Sequence, residues 1–138
     1  MRLRFFSAVL ALLLPLFSAQ AQEARISLEL NKLEPASNAC RAYVVLQNGS
    51  GVAYESLRLD LVMFDAEGVV AKRLALETAP LPVDKTSLKV FDISGMECGQ
   101  VGRILLNDVL DCTDISGTKT GCLALIDVTA RGGLSLIK

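Results

Sequence analysis

Ser56-Leu57-Arg58-Leu59-Asp60-Leu61-Val62-Met63-Phe64-Asp65 is the clearest stretch of the chain. Leu57, Leu59, Leu61 and Met63 fall on one side of an extended backbone, and Arg58, Asp60, Val62 and Phe64 on the other. A period of two with one strongly apolar side predicts a half-buried β-strand. Ala66-Glu67-Gly68 then reads as a tight turn, with Gly68 free to take a positive φ, and residues 69–76 return as a second strand.

The same pattern extends outward in both directions. Upstream, residues 24–33 alternate Ile26, Leu28 and Leu30 with Ser27, Glu29 and Asn31, and Pro35 with Ser37-Asn38 reads as the break. Residues 39–47 place Cys40, Ala42, Val44 and Leu46 on one face before the turn signal Asn48-Gly49-Ser50-Gly51. Downstream, Pro80, Pro82 and Asp84-Lys85 connect to a strand over 86–93. A loop from Gly95 to Gly99 leads to a strand over 100–111 with a bulge near Gly102, then to a polar loop from Thr113 to Gly121 and a strand over 122–129. Val101, Ile104, Leu105 and Asp108 could share a helical face, but Gly102 and the Asp-rich end favour the strand. The tail from Arg131 to Lys138 reads as a short edge strand. About seven strands separated by Gly and Pro turns predict an all-β, immunoglobulin-like antiparallel β-sandwich.

The N-terminus has a different grammar. Arg2 and Arg4 precede an apolar run from Phe5 to Phe17, followed by Ser18-Ala19-Gln20-Ala21. A basic start, an apolar middle and an A-x-A site form a secretory signal peptide, residues 1–21, with cleavage expected after Ala21. The apolar run is too short for the roughly 20 residues that span a bilayer, so no membrane span is expected after cleavage. Removing 21 of 138 residues leaves 117, enough for one domain, 22–138. Twelve basic and 15 acidic residues then give the mature chain a charge of −3, which argues against nucleic acid as a partner.

Four cysteines, Cys40, Cys98, Cys112 and Cys122, lie in the mature part. An even number in an exported chain predicts disulfides and a periplasmic or secreted location. Three pairings are open. Cys112–Cys122 is favoured because one strand ends at the first and another begins at the second, and Cys40–Cys98 follows by elimination. No C-x-x-C exists, and the spacings do not bring ligands in the close pairs of a zinc site. The chain has no His, which removes Ser/His/Asp and Cys/His catalysis. Ser87 and Lys89 would share a strand face, read as solvated. Asn107, Asp108, Asp111 and Asp114 lack the glycine turn of a calcium loop and read as the soluble end of a strand. Catalytic residues, cofactors and metal ligands are therefore expected to be absent.

Tyr43-to-Ile93 contains a strand, Asn48-Gly49-Ser50-Gly51, Leu57-x-Leu59-x-Leu61-x-Met63-Phe64-Asp65-x-x-Gly68, and Thr86-Ser87-Leu88-Lys89-Val90-Phe91-Asp92-Ile93. This cadence resembles the FxLYD-type immunoglobulin-like modules of bacterial envelope proteins. The whole chain is similar to small exported proteins of alphaproteobacteria. The resemblance covers less than half of the mature chain. It implies the sandwich fold and an extracytoplasmic interaction role, with no catalytic residue carried over. Tyr43, Val62 and Phe64 lie on faces read as outer, where partial cover within the domain is favoured over a contact for an envelope protein partner; Leu134, Leu136 and Ile137 lie in the tail, where pairing back onto their own domain is favoured over addition to a partner's sheet. The expected function is a non-enzymatic interaction or accessory module of the envelope. The alternative is a small-ligand or metal-binding envelope protein.

Overall fold

The computed structural model describes residues 25–138. The expected signal peptide lies outside the described residues. Among the described residues nine strands form two sheets, making the β-sandwich that the alternation predicts. β1 (Ile26–Ala36), β2 (Ala39–Asn48), β5 (Thr86–Ser94) and β8 (Ile126–Ala130) form the first sheet, in the order β5-β2-β1-β8. β3 (Ser56–Phe64), β4 (Val70–Glu77), β6 (Arg103–Asp114) and β7 (Gly117–Thr118) form the second, in the order β4-β3-β6-β7, and β9 (Leu136–Ile137) also pairs with β6.

The core forms where the two inner faces meet. Ile26, Leu28 and Leu30 from β1 pack with Leu57, Leu59 and Met63 from β3, all essentially inaccessible to water. Alternation alone selects these residues, because successive side chains of a strand point to opposite faces. Burying each such side chain contributes roughly 1.5–3 kcal/mol.

Several expectations change in detail. Pairing is not wholly antiparallel: β8 runs parallel to β1, and β9 parallel to β6. β1 does not break at Pro35 but continues to Ala36, with Pro35 opposite Cys40. β8 reaches only as far as Leu30, so β1 is an edge by that point, where proline is tolerated. The strand expected over 100–111 starts later, after a 3₁₀ turn at Cys98–Gln100. Its bulges fall not at Gly102 but opposite Arg58–Leu59 and Asp60–Leu61. Gly102 has another role: a Cβ there would lie 2.2 Å from the Asp65 carbonyl oxygen, so only glycine lets β6 enter against the β3–β4 turn. The strand expected over 122–129 begins as a 3₁₀ turn, Cys122–Leu125, whose four consecutive apolar residues have no alternation to hold a strand.

Loops at one end are tied by Asn48, which is fully buried. Its amide nitrogen donates to the carbonyls of Val52, Leu81 and Pro82 at 2.8, 3.0 and 3.2 Å, and its oxygen accepts from the Ser50 amide and hydroxyl. The turn signal at 48–51 is thus also a clamp joining the β2–β3 and β4–β5 connections. A buried polar side chain is tolerated because its hydrogen bonds are all made.

Candidate interaction surface

The disulfides join Cys40 to Cys98 and Cys112 to Cys122, with Cα separations of 4.8 and 6.6 Å, and among the described residues no cysteine is free. The first fastens β2 to the loop after β5. The second fastens β6 to the turn that leads into β8, so it links the two sheets. Cys112 sits within β6 rather than at its end, and Cys122 opens a 3₁₀ turn rather than a strand. Such bonds form and persist in oxidising compartments.

Tyr43, Val62 and Phe64 do lie on outward faces, but of different sheets, so they form no common cluster. On the second sheet, Val62 is only 8 % exposed. Beside it, Asp60 is 2 % exposed and receives a two-pronged bond from Arg73, Nε at 2.8 Å and Nη2 at 2.7 Å, with Asn107 Nδ2 at 2.7 Å. The Arg73 bond, aided by Asn107, holds the Asp60 carboxyl below its ordinary range despite burial. The Arg103 guanidinium lies 4.7 Å from the centre of the Phe64 ring. Long polar side chains of the same chain thus cover the part of this face around Val62, while Val70, opposite Phe64 on β4, stays exposed.

The outer face of the first sheet differs. Val45 stands opposite Leu88 and Tyr43 opposite Val90 across the β2–β5 ladder. Leu88 is 58 % exposed and Val90 45 %. Tyr43 is half-buried; its hydroxyl donates to Glu34, and Lys32 lies 5.2 Å from its ring centre. The Tyr43 bond, with the Lys32 charge, lowers the Glu34 pKa, and the same bond raises that of Tyr43. Arg41 binds Asp92 at 2.8 and 3.1 Å and lowers its pKa. Charges bordering the apolar row are therefore neutralised within the chain.

Leu88 and Val90 were not legible as outward residues. The expectation that Ser87 and Lys89 occupy a solvated face is corrected: they lie opposite the buried Leu46 and Val44, on the inward side of β5, and are half-buried. Both parities of 86–93 carry two large apolar residues, and Phe91 with Ile93 takes the core.

The acidic group is dispersed. Asn107 serves Asp60, Asp108 accepts the amide of Val109, Asp111 lies 2.7 Å from the Ser56 hydroxyl, and Asp114 pairs with Lys119 at 3.0 Å. Among the described residues no group of three or more His, Cys, Asp or Glu is arranged to hold a metal. In the tail, Leu136 is buried through the β9–β6 pairing and Leu134 packs on the core, so both are used internally. An open hollow of about 640 Å³ lies between the β1–β2 turn and the Cys98 loop. Its most polar groups serve each other, the Gln100 side chain accepting from the Glu97 amide at 2.8 Å. Among the described residues no helix is long and apolar enough to cross a membrane.

No family model and no curated protein matches the sequence. The fold is similar to that of a solved structure described as the structural characterization of IrmA from Escherichia coli, with a TM-score of 0.56 at 16 % identity over 77 % of this chain and 92 % of that one.

Proposed function

We propose that this chain is an exported, periplasmic or secreted, non-enzymatic module of the cell envelope that works by binding another protein through the outer face of β2 and β5. The observation that carries this reading is the row Tyr43, Val45, Leu88 and Val90, in which Leu88 and Val90 stand exposed at the edge of the sheet and Tyr43 and Val45 are half-buried beside them. An uncovered apolar cluster bordered by neutralised charge suits a protein contact, whose centre is depleted in charge and enriched in aromatic and apolar side chains. The leader at residues 1–21 and the two disulfides support export. The lack of His supports a non-catalytic role.

A photo-crosslinking amino acid placed at Leu88 in cells expressing the full chain tests this. Leu88 is expected to capture a discrete protein, and Ile115, at the exposed tip of the β6–β7 hairpin, is expected not to. Absence of any adduct at Leu88, or the same adducts at both positions, overturns the reading.

A further inference from the structure

The contact surface proposed above ends at an open strand edge, and the chemistry of that edge selects what can join it. β5 terminates its sheet, with β2 on one side and, among the described residues, no strand on the other. An edge strand turns alternate amide and carbonyl groups outward, ready to pair with an added strand. β5 spans nine residues and pairs with β2 without a bulge, so this edge is long and regular. The edges at β8 and β6 are less accommodating. β8 has five residues. The stretch of β6 between β9 and β7 is bulged, and its Val109 amide is taken by Asp108.

One residue of β5 limits what can pair with it. Lys89 faces inward, half-buried, and has no hydrogen-bond or ion-pair partner among the described residues. A strand added beside β5 would cover it further. Burying an unpaired ammonium is costly, whereas a carboxylate directly opposite would satisfy it. Lys89 therefore rejects indiscriminate partners and favours one with an acid at that position.

A second copy of this chain does not qualify. The inward residues of β5 itself are Ser87, Lys89, Phe91 and Ile93. Those of β8 are Ile126, Val128 and Ala130, and those of β4 are Lys72, Leu74 and Leu76. None is acidic, and in a self-paired β5 the residues able to face Lys89 are Ser87, Lys89, Phe91 and Ile93, none of which can neutralise it.

We infer that the free edge of β5 is a strand-addition site for an extended segment of a different protein, one that alternates apolar residues beside Leu88 and Val90 with an acidic residue opposite Lys89. Backbone hydrogen bonds would hold the segment, and the single charge would set partner and register.

The test uses the mature chain and two capped nonapeptides that alternate Thr and Val, one with Glu and one with Lys at the central Thr. Backbone amide shifts are followed by NMR. The Glu peptide is expected to perturb residues 86–94 and to bind about tenfold tighter than the Lys peptide. Lys89→Glu is expected to invert that preference, and Lys89→Gln to abolish it, which keeps the test decisive should the first variant misfold. Equal affinities, shifts outside β5, or no binding by either peptide overturns the inference. This site rests on the interaction role, yet the two fail differently. Capture at Leu88 that is indifferent to Lys89→Glu removes strand addition and leaves the surface; no capture at Leu88 removes the surface.

Discussion

The two outward faces of this sandwich treat apolar residues in opposite ways. On the second sheet, Val62 lies among Asp60, Arg73 and Asn107 and is covered by its own chain. On the first, Leu88 and Val90 stand uncovered, and the arginine nearby, Arg41, binds Asp92 at the rim. The same alternation therefore produces a covered patch around Val62 and an open row at Leu88 and Val90. The difference lies in where the long cationic side chain is drawn. A buried carboxylate holds Arg73, which stands opposite Val62, while an exposed one holds Arg41.

Removing the staples that hold both faces should give the largest effects. Loss of Cys40–Cys98 by the double serine variant is expected to cost about 4 kcal/mol and loss of Cys112–Cys122 about 3, because the first closes the longer loop in the unfolded chain. Urea midpoints of the two variants check the order, and a larger loss for the second would show that its link between sheets outweighs loop length.

Asp60→Asn comes next. It keeps the shape but removes the two-pronged ionic bond, and about 2 kcal/mol of stability should go at neutral pH. Asp60 has a folded-state pKa below its ordinary value, so its contribution is present above the unfolded carboxylate range and lost as pH falls through the folded value. The gap between wild type and variant should therefore close progressively below about pH 4. Asp92→Asn on the first sheet, where both partners are solvated, should leave stability close to that of the wild type. Equal losses from the two variants would erase the contrast between the faces.

The apolar residues give the sharpest comparison. Val62→Ser should cost about 2 kcal/mol, as a buried methyl pair is lost and a hydroxyl placed where water is scarce. Leu88→Ser and Val90→Ser should each stay within about 0.5 kcal/mol of wild type. Thermal unfolding of the three variants separates a covered face from an open one.

Much of the fold was legible because it rests on local pattern. The inward sets of β1, β2 and β3 follow from alternation in which only one parity is strongly apolar. The site was less legible for the reverse reason. In 86–93 both parities carry apolar residues, Leu88 and Val90 against Phe91 and Ile93, so periodicity gives no preference. Register resolves it: Cys40, opposite Ile93 and bonded to Cys98, fixes which parity faces the core. The bulges of β6 were equally hidden, because they depend on how Arg58 to Leu61 sit across the ladder.

The strand periodicity and the turns at Asn48-Gly49 and Gly68 follow from neighbours along the chain, and the lack of histidine and the even cysteine count follow from composition. That β5 is an edge, that Lys89 turns inward, that Val62 is covered and that Leu88 is not are settled by strand pairing. Those outcomes depend on which distant strands pair and how far each neighbour reaches, and such contacts leave no periodic mark on the residues that make them.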